Sequence, residues 1–315
     1  MKYQKYGLVN TTDMFSDALA HHYAIGAFNF YNIETLSAVL GAARHTHSPI
    51  ILAVSESALE YMGDDVLMAI IGAAHITPNE RVALHLDHGH SFETCAHAID
   101  LGFSSVMIDA SNLPLDENIA MSARVAKYAH EHGVTTEAEL GTLRGREDEN
   151  TFSDNELYTN PSDVAEFVAI SGVDSLAVAI GTSHGAYKMK SPTQELRFDI
   201  LDKIMAAVPD FPLVLHGASS IPSQIVQIIN ENGGDIKNAH GIPTAQLQRA
   251  TTTNICKINV DSDSRLAFTA AIRKNLRDAP DKFNPREYLG LAMQAVYDNT
   301  IDEITNIMGS ANKLA

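Results

Sequence analysis

Three histidines in this chain each follow a short apolar run: His88 in VALHLDHGH (82–90), His184 in LAVAIGTSHG (176–185) and His216 in PLVLHGASS (212–220). An apolar run that stops at a polar cluster and a glycine is how a buried parallel strand meets its loop. Strands ending this way in one sheet would bring the imidazoles to a common rim. Three histidines around one open position make the donor set of a catalytic zinc site. Asp87, beside the first of them, adds a carboxylate suited to general acid–base work.

The elements that must hold these residues follow from the pattern of the whole chain. Apolar runs at 24–28, 50–54, 82–86, 105–108, 135–139, 175–180, 213–215 and 255–260 predict eight strands. Segments of helical periodicity lie between them, as at 33–43, 118–132, 161–170 and 222–230. Pro161 and Pro222 mark two of the helix starts. This alternation predicts an α/β fold, a (β/α)8 TIM barrel. Helical patterns at 265–276 and 286–307 exceed the repeat and predict extra C-terminal helices packed against a partner subunit. The polar stretch 142–160, with RGREDEN at 144–150, is too long for an ordinary connection, and 233–241 is a second such loop. Long loops in compact domains serve as lids or are disordered. No linker divides the chain, so residues 1–315 are expected to form a single barrel domain.

Composition narrows the function. A net charge of −17 argues against nucleic-acid binding, which needs clustered Lys and Arg. Only Cys95 and Cys256 are present, and two buried thiols in a reducing cytosol is the expectation. The N-terminal segment has no apolar core and no run is long enough to span a membrane, which predicts a cytoplasmic protein.

Every predicted strand ends in a polar residue: Asn29, Ser55, Asp87 with His88, Asp109, Glu139, His184, His216, and Asn259 with Asp261. Asp, Ser and Asn at such positions are also ordinary helix caps; histidine is not. Asp109 and Glu139 are equally balanced between structural duty and orienting metal ligands. His85 shares the strand face of Asp87 and is expected to be packed or to support a ligand, and His90 is open to either reading. The remaining histidines read as structural. Small-residue turns at 181–183 and 217–220 offer backbone N–H groups to an anion, with Lys188 close enough to add charge. Neither turn is a P-loop, and no G-x-S-x-G elbow occurs.

Several motifs together resemble the class II, metal-dependent fructose-1,6-bisphosphate aldolases, in particular their class IIB branch. They are HLDHG (85–89), SVMIDAS (105–111), EAELG (137–141), AIGTSHGAYK (179–188), LHGAS (215–219) and KINVDSDSR (257–265), between GAFN (26–29) and GSANK (309–313). The resemblance implies zinc on His88, His184 and His216, with Asp87 as general acid/base. It implies that Glu147, in the long loop, exchanges the proton on the dihydroxyacetone carbon. Asp109 and Glu139 match carboxylates that support the ligands or hold an alternative metal position. Gly181, Lys188, Gly217, Ser219, Asn259 and Ser262 match the pocket for the dihydroxyacetone phosphate end, and Asn29 and Ser55 line the site. Backbone oxygens near Gly181, Ser183 and Gly217 match a monovalent cation site for Na+ or K+. Asp261 and Arg265 are of the fructose type; tagatose-1,6-bisphosphate aldolases, the alternative reading, typically carry Ala and Lys there. Arg286 matches an arginine lent across a dimer interface to the far phosphate, implying a homodimer or homotetramer, while Asn284 replaces the usual aspartate before Pro-Arg.

Three other readings remain open from the residues. A Schiff-base aldolase would need a strand-end lysine, for which Lys257 is the candidate. A barrel metallohydrolase would often place a His-x-His pair on the first strand, where this chain has Phe28-Asn29-Phe30. A non-catalytic phosphosugar-binding protein would have no need of Asp87 and Glu147 together.

Overall fold

The computed structural model describes residues 1–143, 146–147, 150–151, 158–185, 195–237 and 239–314. Eight parallel strands close into a barrel. They are β1 (Ile25–Asn29), β2 (Ile50–Ser55), β3 (Val82–Gly89), β4 (Ser105–Ile108), β5 (Thr135–Leu140), β6 (Ser175–Val178), β7 (Leu213–Leu215) and β8 (Ile255–Val260), with β8 pairing back onto β1. This is the predicted (β/α)8 TIM barrel. Strand β3 runs further than its apolar run, through Asp87 and His88 to Gly89, and β6 stops two residues earlier than predicted.

Period-two alternation divides each strand between two environments. One set of side chains meets the surrounding helices, as Phe28, Leu52 and Leu84 do. The other set fills the barrel. At the N-terminal end these are Ile25, Ala27, Ile51, Ala53 and Ala83, against Met14, Phe15 and Ala18 of the helix Thr12–His21, which closes that mouth. Higher up, a small apolar group of Met107, Ala177 and Val214 stands next to polar inward residues. The register explains this: His85 sits beside Ser105, Met107 beside Glu137, and Val214 beside Lys257. The interior therefore changes from apolar to polar along the barrel axis, towards the ends where loops carry chemistry in this fold.

Two C-terminal helices follow, Ser262–Asp278 and Pro285–Asp302, the second packed against the first and against Ile33–Thr46. A π-helical turn, Glu303–Met308, then brings the Met308 carbonyl to the Ala24 amide, 3.0 Å away. Pro161 begins its helix as predicted, capped by Asn160, whereas Pro222 is itself the cap and its helix starts at Ser223. Proline's fixed φ serves either position, so the residue alone leaves the start uncertain by one. Both cysteines are free and buried, and burial pushes each thiol up to about 12.

Candidate active site

The site begins with a break in the alternation of β3. Asp87 faces the barrel, so His88 should face outward. Instead His88 takes a left-handed backbone, φ 52°, and the pairing with β4 shifts register between Leu86 and Gly89. That bulge turns consecutive side chains to the same mouth, at a conformational cost of roughly 1–3 kcal/mol. Gly89 makes it possible: a Cβ there would lie 2.8 Å from the Met107 carbonyl oxygen. The order Asp-His-Gly is thus a backbone device as well as a donor pair.

Asp87, His88 and His216 present donor atoms within 4.8 Å of one another, all buried. His88 Nε2 is 3.0 Å from His216 Nδ1, and the Asp87 Oδ1 is 3.8 Å from that same Nδ1. The ring of His184 lies edge-on to His88, centres 4.9 Å apart, and 6.4 Å from that of His216. On the far side of His88, its Nδ1 donates to Asp109 Oδ2 at 2.9 Å, with Glu139 Oε2 at 3.9 Å. Burial alone would raise Asp109, but hydrogen bonds from His88 and Ser111 win and hold its carboxyl well below the usual range. Asp87 is fixed from both sides: Asn29 Nδ2 donates to Oδ2 at 2.8 Å and Asn259 Nδ2 to Oδ1 at 2.9 Å. The two amide oxygens are buried without a hydrogen bond, turned away from Asp87.

Beneath the histidines runs a polar file that spacing alone did not single out. His216 Nε2 donates to Glu137 Oε1 at 2.7 Å, and Glu137 Oε2 accepts from Lys257 Nζ at 2.8 Å. Lys257 also donates to His85 Nε2 at 3.1 Å, and His85 Nδ1 meets the Ser105 hydroxyl at 2.8 Å. Burial, reinforced by the Lys257 ammonium, holds both His85 and His216 well below the usual imidazole range. Each is a neutral ring, the form a metal needs in a ligand. Lys257 is fully buried in an ion pair, so it is a structural cation and is not placed as the free amine that Schiff-base chemistry requires.

The other predicted residues divide. Gly217, φ 60°, presses against the backbone of Ser183, where a Cβ would lie 2.6 Å from the carbonyl oxygen. The turns after β6 and β7 are therefore in direct contact. Gly181 also has positive φ, and Ser219 is buried, with its carbonyl accepting from the Ile242 amide at 3.1 Å. Ser55 caps the helix Glu56–Met62, the ordinary cap reading. Arg265 pairs with Asp261 at 2.7 Å and lies over Tyr31 (5.5 Å), on the edge of a cleft of about 410 Å³. Ser262 opens its helix, and Arg286 is the second residue of another, its amide bonded to Asn284 at 3.2 Å; both stand outside the hydrogen-bonded cluster. Asn284 caps that helix, its side chain accepting from the Arg286 amide as an aspartate's would. His90 is exposed, its amide bonded to Glu56. Glu147 lies on a two-residue hairpin strand paired with Asn150–Thr151, its side chain outside the described residues, as is Lys188.

The donor set fits a divalent cation. With His216 Nε2–H directed at Glu137 and His88 Nδ1–H at Asp109, the two nitrogens that face each other carry lone pairs. Lone pairs 3.0 Å apart in a buried space repel unless a cation lies among them. A closed parallel barrel with such a cluster at one mouth defines a metal-dependent barrel enzyme. Residues 9–313 match the family described as fructose-bisphosphate aldolase class-II. The fructose-bisphosphate aldolase of Treponema pallidum is 44% identical, over 99% of each chain. That of Giardia intestinalis is also 44% identical, over 96% of this chain and 94% of its own. The crystal structure of the YdjI aldolase from Escherichia coli K12 superposes with a TM-score of 0.78 at 30% identity, covering 98% of this chain and all of that one. The chain belongs to the class II fructose-bisphosphate aldolases, a metal-dependent family of aldehyde-lyases.

Proposed function

We propose that residues 1–315 act as one barrel unit that reversibly cleaves fructose 1,6-bisphosphate into dihydroxyacetone phosphate and glyceraldehyde 3-phosphate. The observation that carries this is Asp87 held between two amides beside the facing nitrogens of His88 and His216. His88, His184 and His216 would hold zinc. When bound, the ion supplies Lewis acidity towards the ketone oxygen, lowering the cost of negative charge on the departing three-carbon fragment. Asp87 removes the proton of the C4 hydroxyl, and Asn29 and Asn259 keep its oxygens aimed. Glu147 returns a proton to the three-carbon fragment. The contacting turns at Gly181 and Gly217, with Ser219, Ser262 and Lys188, bind one phosphate and provide the seat for a monovalent cation. Fixing both substrate ends converts binding energy into orientation.

Arg265 and Asp261, paired at the edge of the adjoining cleft, favour the fructose configuration over tagatose. A second copy covers the C-terminal helices, which leave Leu276, Phe283 and Leu291 exposed, Phe283 by 90%. This dimer brings Arg286 to the far phosphate of the neighbouring site. The two free thiols fit a cytoplasmic enzyme, and among the described residues no helix is long and apolar enough to cross a membrane.

Cleavage of the fructose and tagatose bisphosphates by the purified protein tests the reading. Activity lost to a chelator, restored by zinc and higher on fructose 1,6-bisphosphate is the expected result. Chelator-resistant activity with covalent trapping by borohydride would overturn it.

A further inference from the structure

Strands β5 and β6 stop pairing at Leu140 beside Val178, and there one side chain from a third segment spans both. The Thr159 hydroxyl donates to the Leu140 carbonyl and accepts from the Ala179 amide at 2.8 Å. A hydroxyl can do this because one atom is both donor and acceptor. The Thr159 amide donates in turn to the Ala179 carbonyl at 3.0 Å, so Ala179 is held through both of its backbone groups. Thr159 is 1% exposed, and these bonds have no open solvent to replace them.

Each strand end that Thr159 grips leads to a group beside His88. Leu140 follows Glu139, whose Oε2 is 3.9 Å from His88 Nδ1. Ala179 begins the run to His184, whose ring lies edge-on to His88, centres 4.9 Å apart. That run has two further fixed points. The Ile180 carbonyl accepts from the Arg197 amide at 2.8 Å, and the backbone of Ser183 is pressed by Gly217. On the other side the Glu139 carbonyl accepts from Asn118 Nδ2 at 2.9 Å. Of these holds, Thr159 is the one that joins the two strand ends.

We infer that Thr159 is a positioning residue: it sets the gap between β5 and β6 at the catalytic mouth, and with it the spacing of Glu139 and His184 about His88. It is not a catalytic residue, because both bonds of its hydroxyl go to backbone. The inference rests on the reading of His88, His184 and His216 as zinc ligands. Valine has the shape of threonine without the hydroxyl. In its place the Leu140 carbonyl and the Ala179 amide lose a shared partner in a buried setting, which the strands relieve by parting. Glu139 and His184 then shift relative to His88, and ligands held off their geometry bind the ion less tightly.

Zinc affinity, measured by competition between the metal-free full-length protein and a chromogenic chelator at neutral pH, tests this without recourse to turnover. T159V should bind zinc about tenfold more weakly than the wild type. T159S, which keeps the hydroxyl, should bind as the wild type does. T11V controls for lost stability alone: Thr11 is also buried, and its hydroxyl donates at 2.8 Å to that of Thr135, at the opposite end of β5. That variant should melt earlier yet keep full zinc affinity. Melting curves establish that each variant is folded; if T159V is not, T159A removes the same hydroxyl from a smaller side chain and takes its place, with the same loss expected. Wild-type affinity in the variant lacking the hydroxyl, or an equal loss in T159S or T11V, overturns the inference. A wild type that binds no zinc would instead overturn the reading of the three histidines as ligands.

Discussion

His88 Nε2 and His216 Nδ1 face each other at 3.0 Å, and the far nitrogen of each ring donates to a buried carboxylate, Asp109 for one and Glu137 for the other. Each carboxylate fixes a tautomer, and together they leave two acceptors aimed at one point. The cluster is therefore built around a charge that the side chains themselves do not supply.

Replacing His88 or His216 by alanine should remove that charge. Metal analysis of the purified variants is expected to show loss of bound zinc together with activity, while circular dichroism keeps the barrel signature. One equivalent of zinc in both variants would move the metal elsewhere.

Asp87→Asn preserves shape but cannot take a proton. The variant should bind zinc and substrate and turn over about 10²- to 10⁴-fold more slowly. The amides of Asn29 and Asn259 then face an amide instead of a carboxylate, so a modest rise in KM is also expected. Unimpaired kcat would assign the base to another group.

Glu137 and Lys257 form a buried ion pair in which each needs the other. Lys257→Met leaves Glu137 charged and unpaired, a change that costs roughly 3–5 kcal/mol and should appear as a lower unfolding midpoint in denaturant. Glu137→Gln should weaken zinc binding about 10- to 100-fold, because His216 loses its orienting acceptor. Equal metal affinity in Glu137→Gln and the wild type would show that His216 is oriented by its packing alone.

Glu303 also gives stability a pH dependence of known sign. Its folded carboxyl holds the proton more tightly than the unfolded one. The stability this contributes is complete below the unfolded value, about 4.3, and is lost as pH rises towards the folded value. Unfolding free energies measured at several pH values should fall less steeply for Glu303→Gln than for the wild type. Parallel curves would place the titrating group elsewhere.

Much of the fold was legible because parallel strands bury both faces and so read as apolar runs ending in polar residues. The eight strand positions and the convergence of Asp87, His216, Asn29 and Asn259 follow from that pattern. Other features were not legible, for identifiable reasons. Alternation directs His88 away from the mouth, and only the bulge, a tertiary feature, reverses it. Glu137 lies in mid-strand, where a lone polar residue gives no sign of facing Lys257 across the barrel. The helix Thr12–His21 is short, and its role in closing the barrel depends on what it covers.

The file from Ser105 through His85, Lys257 and Glu137 to His216 makes the floor of the catalytic pocket and the centre of the barrel one structure. Ordinary core positions drift among apolar residues of similar volume, because only packing constrains them. Positions 85, 137 and 257 lack that freedom: an apolar replacement at any one strands a hydrogen-bonding partner that leads on to a histidine at the mouth. This polar layer of the barrel is thus closed to the usual neutral repacking that its apolar end allows, and its history of substitution should resemble that of an active-site loop more than that of a hydrophobic core.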